Sequence, residues 1–288
     1  MGQLDVRPGP LAGVIVDAHV HVLPDRVRAD LPRITAGEPW FAACHAGGRR
    51  VASVESAVAA MDMARVDRAV IFTWPFADPQ LCREGNDYIA AAQRRFPDRV
   101  IGFGTVQPAF ADAAAEVRRC ARLGLRGIGE LNADAQGWEL EGGAVEPVVA
   151  ASLECELPWT LHCSEAVGRP HPGRGTATPD RIVTFAQRHE DLRLICAHLG
   201  GGLPLQAHTP QVQDICRRLW FDTAAAPFLH APGVYRSVVD LCGAERLLLG
   251  SDHPLLDVPR YAQEFAGAGL TVAETRLVMG DAAAALLL

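Results

Sequence analysis

Short apolar runs rich in β-branched residues alternate along the chain with longer stretches whose apolar positions recur every three or four residues. This is the pattern of successive βα units feeding a parallel sheet. Eight strands are predicted, over 14–19, 68–72, 100–106, 127–131, 158–162, 192–198, 219–223 and 246–250. Amphipathic helices are predicted over 53–65, 84–96, 112–123, 145–156 and 179–188, several opening on Ser, Asp or Thr-Pro, which are good helix starts. Eight parallel strands joined by right-handed crossovers close into a (β/α)8 TIM barrel, with reactive groups at the strands' C-terminal ends. An open doubly wound sheet is the alternative, but the turn after the first strand carries histidines and no Gly-rich phosphate loop. Residues 23–50 are long for a βα connection and include Trp40, Phe41 and His45, so they read as an insertion forming a lid or partner surface. The alanine- and leucine-rich stretch from Thr271 reads as a last helix packed against the barrel.

Composition narrows this picture. The chain has 288 residues, close to the roughly 250 of one barrel, and no Ser/Gly or charged linker divides it, so 1–288 is expected to be a single domain. A net charge of −7 argues against a diffuse basic surface, and no nucleic-acid partner is expected. No apolar run reaches the ~20 residues that span a bilayer, so no membrane association is expected. The first residues lack a signal-peptide pattern, and the 8 cysteines form no CxxC pair, which together favour reduced thiols and a cytoplasmic location. All 27 basic residues are arginine. Without lysine there is no Schiff-base lysine, no Walker lysine and no carboxylated lysine bridging two metals.

Chemistry concentrates at the predicted strand ends. His19, His21, His162, His198 and His253 lie at or just past the ends of strands 1, 5, 6 and 8. Residues two apart on a strand face the same way, so His19 and His21 project together into the barrel mouth and can chelate one ion. An isolated HxH is weak evidence, and its partners make the case: His162 ends strand 5, and Asp252 follows strand 8. Each has a bland alternative, a core histidine or a helix cap. Three imidazoles and a carboxylate suit Zn2+, with Mn2+, Fe2+ or Co2+ as alternatives.

The segments Asp17-Ala18-His19-Val20-His21, Asn86-Asp87 ahead of Phe96-Pro97-Asp98-Arg99 and Gly102-Phe103, His162, Ala197-His198-Leu199-Gly200-Gly201-Gly202 and Gly250-Ser251-Asp252-His253-Pro254 resemble the amidohydrolase superfamily. Within it the similarity is to the branch that includes aminocarboxymuconate semialdehyde decarboxylase, over nearly the whole chain. The resemblance implies that His19, His21, His162 and Asp252 bind one divalent metal, with His198 beside the bound water or substrate as acid/base. Asp252 is expected also to accept a proton from that water. Glu130, at the end of strand 4, is either a further metal ligand, the one strand-4 bridge to a second ion left open without lysine, or a carboxylate orienting a histidine. Asp17 and Asp222 read as supporting carboxylates or ordinary backbone caps.

Substrate contacts are expected from Trp74, Trp138, Arg169, Arg174 and His253. Arginine grips carboxylates bidentately, so a small organic acid or lactone is the expected partner, and a homodimer is compatible with the chain. The Gly-Glu-Leu of strand 4 leans the reading toward hydrolysis of an amide, ester or lactone by metal-activated water. Non-oxidative decarboxylation of an aromatic or unsaturated carboxylic acid is the alternative, and a silent barrel kept as a binding subunit ranks third.

Overall fold

A computed structural model describes residues 13–48 and 50–288. Eight parallel strands follow one another in sequence order around a single sheet: β1 (Val16–His21), β2 (Arg68–Phe72), β3 (Val100–Gly104), β4 (Gly127–Leu131), β5 (Trp159–Leu161), β6 (Leu194–Cys196), β7 (Trp220–Asp222) and β8 (Leu247–Leu248). The sheet closes between its first and last strands. Ala18 N–H donates to Leu249 O at 2.7 Å, Asp252 N–H to His19 O at 2.9 Å and His21 N–H to His253 O at 2.9 Å. This is the expected (β/α)8 barrel. The strands at its far side, β5 to β8, are two or three residues long, shorter than the apolar runs that announce them.

Two apolar layers hold the barrel. Val16, Ala18, Val70, Phe72, Ile101, Phe103, Ile195 and Leu248 meet inside it, and Ala282, Ala283 and Leu287 of the last helix (Ala282–Leu287) pack against them. Arg126, just before β4, donates to Leu287 O at 3.1 Å, so this helix covers the barrel's N-terminal end. Outside, helices such as Val54–Ala64, Pro79–Arg95 and Pro179–Arg188 bury their apolar stripes on the strands. Their starts follow local rules: Ser53 makes a capping box with Ser56, and Asp78 caps a helix with Pro79 at its first position. Asn86 is buried and ties its helix to β3, donating to Thr105 O at 2.9 Å and accepting from Thr105 N at 2.7 Å. Its place in the sequence motif is therefore structural.

The long connection after β1 is not loose. It folds into three short helices, Asp25–Ala29, Leu31–Gly37 and Pro39–His45, whose Val27, Ile34 and Phe41 form a separate cluster with Leu23, Phe76 and Leu81. Buried Glu38 fastens it to the β2 loop by accepting from Ala77 N and Asp78 N, both at 2.9 Å. No helix among the described residues is long and apolar enough to cross a membrane. No disulfide joins the eight cysteines among the described residues, and seven of them are buried.

Candidate active site

The C-terminal mouth of the barrel opens into a cavity of about 860 Å3. Its floor gathers the expected histidines. His19 Nε2 and His21 Nε2 lie 3.2 Å apart, as same-face residues of β1 must be close. Asp252 Oδ1 stands 3.7 Å from the first and 3.6 Å from the second. Glu130 occupies the centre: its Oε2 is 3.6 Å from His21 Nε2, while its Oε1 is 3.0 Å from His162 Nδ1 and 3.3 Å from His198 Nε2. His198 Nε2 and His162 Nδ1 are themselves 3.0 Å apart.

Acceptor-only partners set the ring tautomers. The carbonyl of Gly173 takes the proton of His162 Nε2 at 2.8 Å, and that of Ala224 takes the proton of His198 Nδ1 at 3.0 Å. Asp222 Oδ2 accepts from His19 Nδ1 at 2.8 Å, and its other oxygen accepts from His198 N at 3.0 Å. Asp222 thus orients two site histidines at once. In the neutral rings the inward nitrogens of His19, His162 and His198 carry lone pairs, crowded against two carboxylates. Such a set is satisfied only by cations, either protons or metal.

The proton affinities agree. Burial opposes charge on His19, but Asp222, helped by Glu130 and Asp252, outweighs it and lifts His19 to about 10. Burial likewise opposes charge on His198, yet its hydrogen bond to Glu130 lifts it to about 9. Burial and the neighbouring His19 push His21 down to about 4. Burial disfavours ionised Glu130, but His162, His198 and His19 hold it well below the usual carboxylate range. Among the described residues, His21 Nδ1 is buried without a hydrogen-bond partner.

A metal fits this donor set. Edges of a tetrahedron or octahedron drawn with ~2.1 Å metal–ligand bonds are roughly 3.0–3.4 Å. The separations His19–His21, His19–Asp252, His21–Asp252 and His21–Glu130 lie within that range or exceed it by at most a few tenths of an ångström. Two triads, His19–His21–Asp252 and His19–Glu130–His198, each place one donor atom per residue within 4.8 Å of the others. Three site residues hold left-handed backbone, Asp252 (φ 61), His198 (φ 57) and Leu199 (φ 53), the kind of local strain that clusters at functional positions. Gly201 lets the turn after His198 pass the β5 loop: at φ 62, a Cβ there would sit 2.2 Å from Ser164 O.

The other expected contacts divide. Trp74 lines the cavity, its ring centroid 5.3 Å from that of His21, and Trp40, Phe41 and Arg169 also line it. Arg174 does not; its guanidinium binds the carbonyls of Glu165, Ala166 and Gly168, so it staples its own loop. Trp138 is buried in the helix–sheet core with its indole N–H on Gln136 Oε1, because the short helix Ala133–Gln136 turns it away from the mouth. His253 contributes its backbone to barrel closure, while its ring faces Asp257 at 3.4 Å. Asp17 accepts from Ser251 N at 2.8 Å and braces the loop that carries Asp252, and burial raises its pKa to about 6. Glu165 and His171, which motif reasoning passed over, line the cavity together, His171 Nε2 lying 2.9 Å from Glu165 Oε1.

A (β/α)8 barrel whose strand ends assemble imidazoles and carboxylates beneath an aromatic-walled cavity belongs to the metal-centred class of barrel enzymes. The amidohydrolase family profile matches residues 16–288, and the chain belongs to that family. It is 26% identical over 251 residues to a gamma-resorcylate decarboxylase of Rhodococcus jostii, covering 72% of this chain and 76% of that one. Among solved structures, a 5-carboxyvanillate decarboxylase from Sphingomonas paucimobilis superposes with a TM-score of 0.76 at 18% identity, over 96% of this chain and 99% of the other. The same enzyme from Novosphingobium aromaticivorans, complexed with manganese and 4-hydroxy-3-methoxy-5-nitrobenzoic acid, gives 0.76 at 18% identity, over 99% of both chains.

Proposed function

We propose that this protein is a divalent-metal-dependent, non-oxidative decarboxylase of a small aromatic carboxylic acid. One observation carries the reading: a cation-demanding floor and a proton-holding histidine, His198, share one cavity with an aromatic wall of Trp40, Phe41 and Trp74. The similarity to named decarboxylases tips the choice away from the hydrolysis that the strand-4 sequence favoured.

His19, His21 and Asp252 would hold the ion, with Glu130 and His162 completing the donor set. When bound, the ion supplies a Lewis-acidic charge for an acidic oxygen of the substrate. Two carboxylates in the set, buried Glu130 and partly buried Asp252, together with the manganese-bound neighbour, favour Mn2+ over Zn2+. Trp74 and Trp40 confine a planar ring. His198, whose Nε2 lies 3.3 Å from Glu130 Oε1, is the group placed to hold a proton at that nitrogen, and Glu130 favours its charged form in the metal-free site. As the carbon–carbon bond breaks, the electron pair left on the ring carbon takes that proton and CO2 departs. Asp252 is the second group placed to exchange protons over the floor.

The test is a panel of hydroxybenzoates, lactones and amides offered to Mn2+- and Zn2+-loaded protein with CO2 detection. Release of CO2 from an aromatic acid, lost in His198→Gln and in His19→Ala, is expected. Turnover of a lactone or amide without CO2 would overturn the reading in favour of hydrolysis.

A further inference from the structure

The strands run in order around the ring, so the loops after β7 and β8 face those after β4 and β5 across the mouth. The two sides differ in chemistry. The β4 and β5 loops line the cavity with Asn132, Glu165, Arg169 and His171, whereas those after β7 and β8 line it, above Asp252, with Ala225, Phe228, Leu229, Pro254 and Leu255. Among the described residues, this second arc brings no hydrogen-bonding side chain to the cavity above the floor.

The apolar arc is held in place. Its single helical turn Ala226–Leu229 is tied down by Ala226 N donating to Thr223 O and His230 N to Ala226 O, both at 2.9 Å, and Thr223 Oγ1 donates to Gly250 O at 3.0 Å. Leu255 N donates to Asp252 O at 2.7 Å, a tight turn that keeps Leu255 close to the floor. Phe228 is nevertheless 64% exposed while lining the cavity. An aromatic ring fixed at a cavity lip and left in water is stabilised when an apolar group covers it. A hydroxyl, amide or carboxylate brought to the same arc would lose its water and find no side-chain partner. The cavity, about 860 Å3, stands near the upper end of the ~300–1,000 Å3 usual for ligand pockets, so it holds more than one unsubstituted ring.

We infer that the arc after β7 and β8 is a subsite for a hydrocarbon extension of the substrate, so that the preferred acid carries a fused second ring or an alkyl chain lying against Phe228, Leu229 and Leu255. The inference rests on the aromatic-acid reading above and names its substrate class more closely.

Equilibrium binding separates the two, because it needs no turnover. The Mn2+-loaded full-length chain is titrated by calorimetry with benzoate, with 2-naphthoate and with 4-butylbenzoate, the last two adding the same number of carbons as a ring or as a chain. Each buried methylene is worth roughly fourfold in affinity, so an extension even half covered should bind at least tenfold tighter than benzoate. The tighter of the two extended acids tells ring from chain. Phe228→Ser and Leu229→Asn should each cut the preference severalfold and leave benzoate affinity unchanged. Extended acids that bind no tighter than benzoate, a preference that survives both substitutions, or variants that weaken benzoate as much as the extended acids would overturn the subsite. A Phe228-dependent preference in a protein that releases CO2 from no aromatic acid would uphold the subsite and reject the decarboxylase, whereas CO2 release with no preference would reject the subsite alone.

Discussion

Replacing Asp222 by Asn changes one atom type and should cripple metal uptake. The carboxylate is fully buried and accepts three hydrogen bonds: His19 Nδ1 at 2.8 Å, His198 N at 3.0 Å and Ala224 N at 3.0 Å. In the amide, the oxygen stays with the two backbone N–H groups, which cannot turn around. The NH2 group then faces His19 Nδ1 and drives the ring proton to Nε2, the nitrogen aimed at His21 and Asp252. Counted from the neutral ring in both proteins, binding a cation there requires flipping the tautomer back against a donor left unpaired, at a cost of about 1–3 kcal/mol. Since about 1.4 kcal/mol is tenfold, metal affinity should fall roughly 10- to 100-fold. The assay is competition of Mn2+ against a calibrated chelator for wild type and Asp222→Asn, with far-UV circular dichroism of both metal-free proteins to establish folding. A folded variant whose Kd lies within threefold of wild type would refute the tautomer reasoning.

Metal uptake should tighten with rising pH. In the metal-free protein His19 is held near 10 and so carries a proton at neutral pH, which an incoming ion must displace. The apparent Kd should drop roughly tenfold per pH unit between pH 6 and 8 for each proton released, measured by calorimetry in buffers of different ionisation enthalpy; a flat profile would count against displacement. Trp159→Ala removes a fully buried indole whose N–H donates to Ser152 Oγ at 2.7 Å and should cost about 3–5 kcal/mol in urea unfolding. A loss under 1.5 kcal/mol would mean the site collapses around the gap. Gly201→Ala puts a Cβ against Ser164 O at a positive φ and should lower the thermal midpoint by several degrees; an unchanged midpoint would show that the two loops move apart freely.

Periodicity revealed what depends on periodicity. The alternation in Asp17–His21 fixed which ring pairs with which, and the eight apolar runs carried the barrel and hence the height at which His162 and Asp252 sit. Loop side chains have no such rule. Arg174 and Arg169 are five residues apart with the same chemistry, yet one is spent on carbonyls and the other faces the cavity, a difference set by the path of the loop. Trp138 was misplaced for the same reason, since a single helical turn after β4 reverses its direction. Glu130 stayed ambiguous in the sequence because its strand position allows either a metal contact or a bracing role, and its central place appears only once β1, β5 and β6 are brought around it. The helices of 23–50 escaped notice because each is only five to seven residues long and two open on an N-terminal proline, too short for an amphipathic period to register.

The seam where β1 meets the loop after β8 has a thermodynamic meaning beyond geometry. His19 and His21 arrive early in synthesis and Asp252 more than 200 residues later, and the bonds that bring them together are the same ones that shut the barrel. An ion held by these three residues, as proposed above, would therefore act as a clasp across that joint, bound more tightly by the closed ring than by an open one. Its free concentration would then enter the folding equilibrium directly, adding stability as RT ln(1 + [M]/Kd), so that metal supply would set how firmly the ring stays closed.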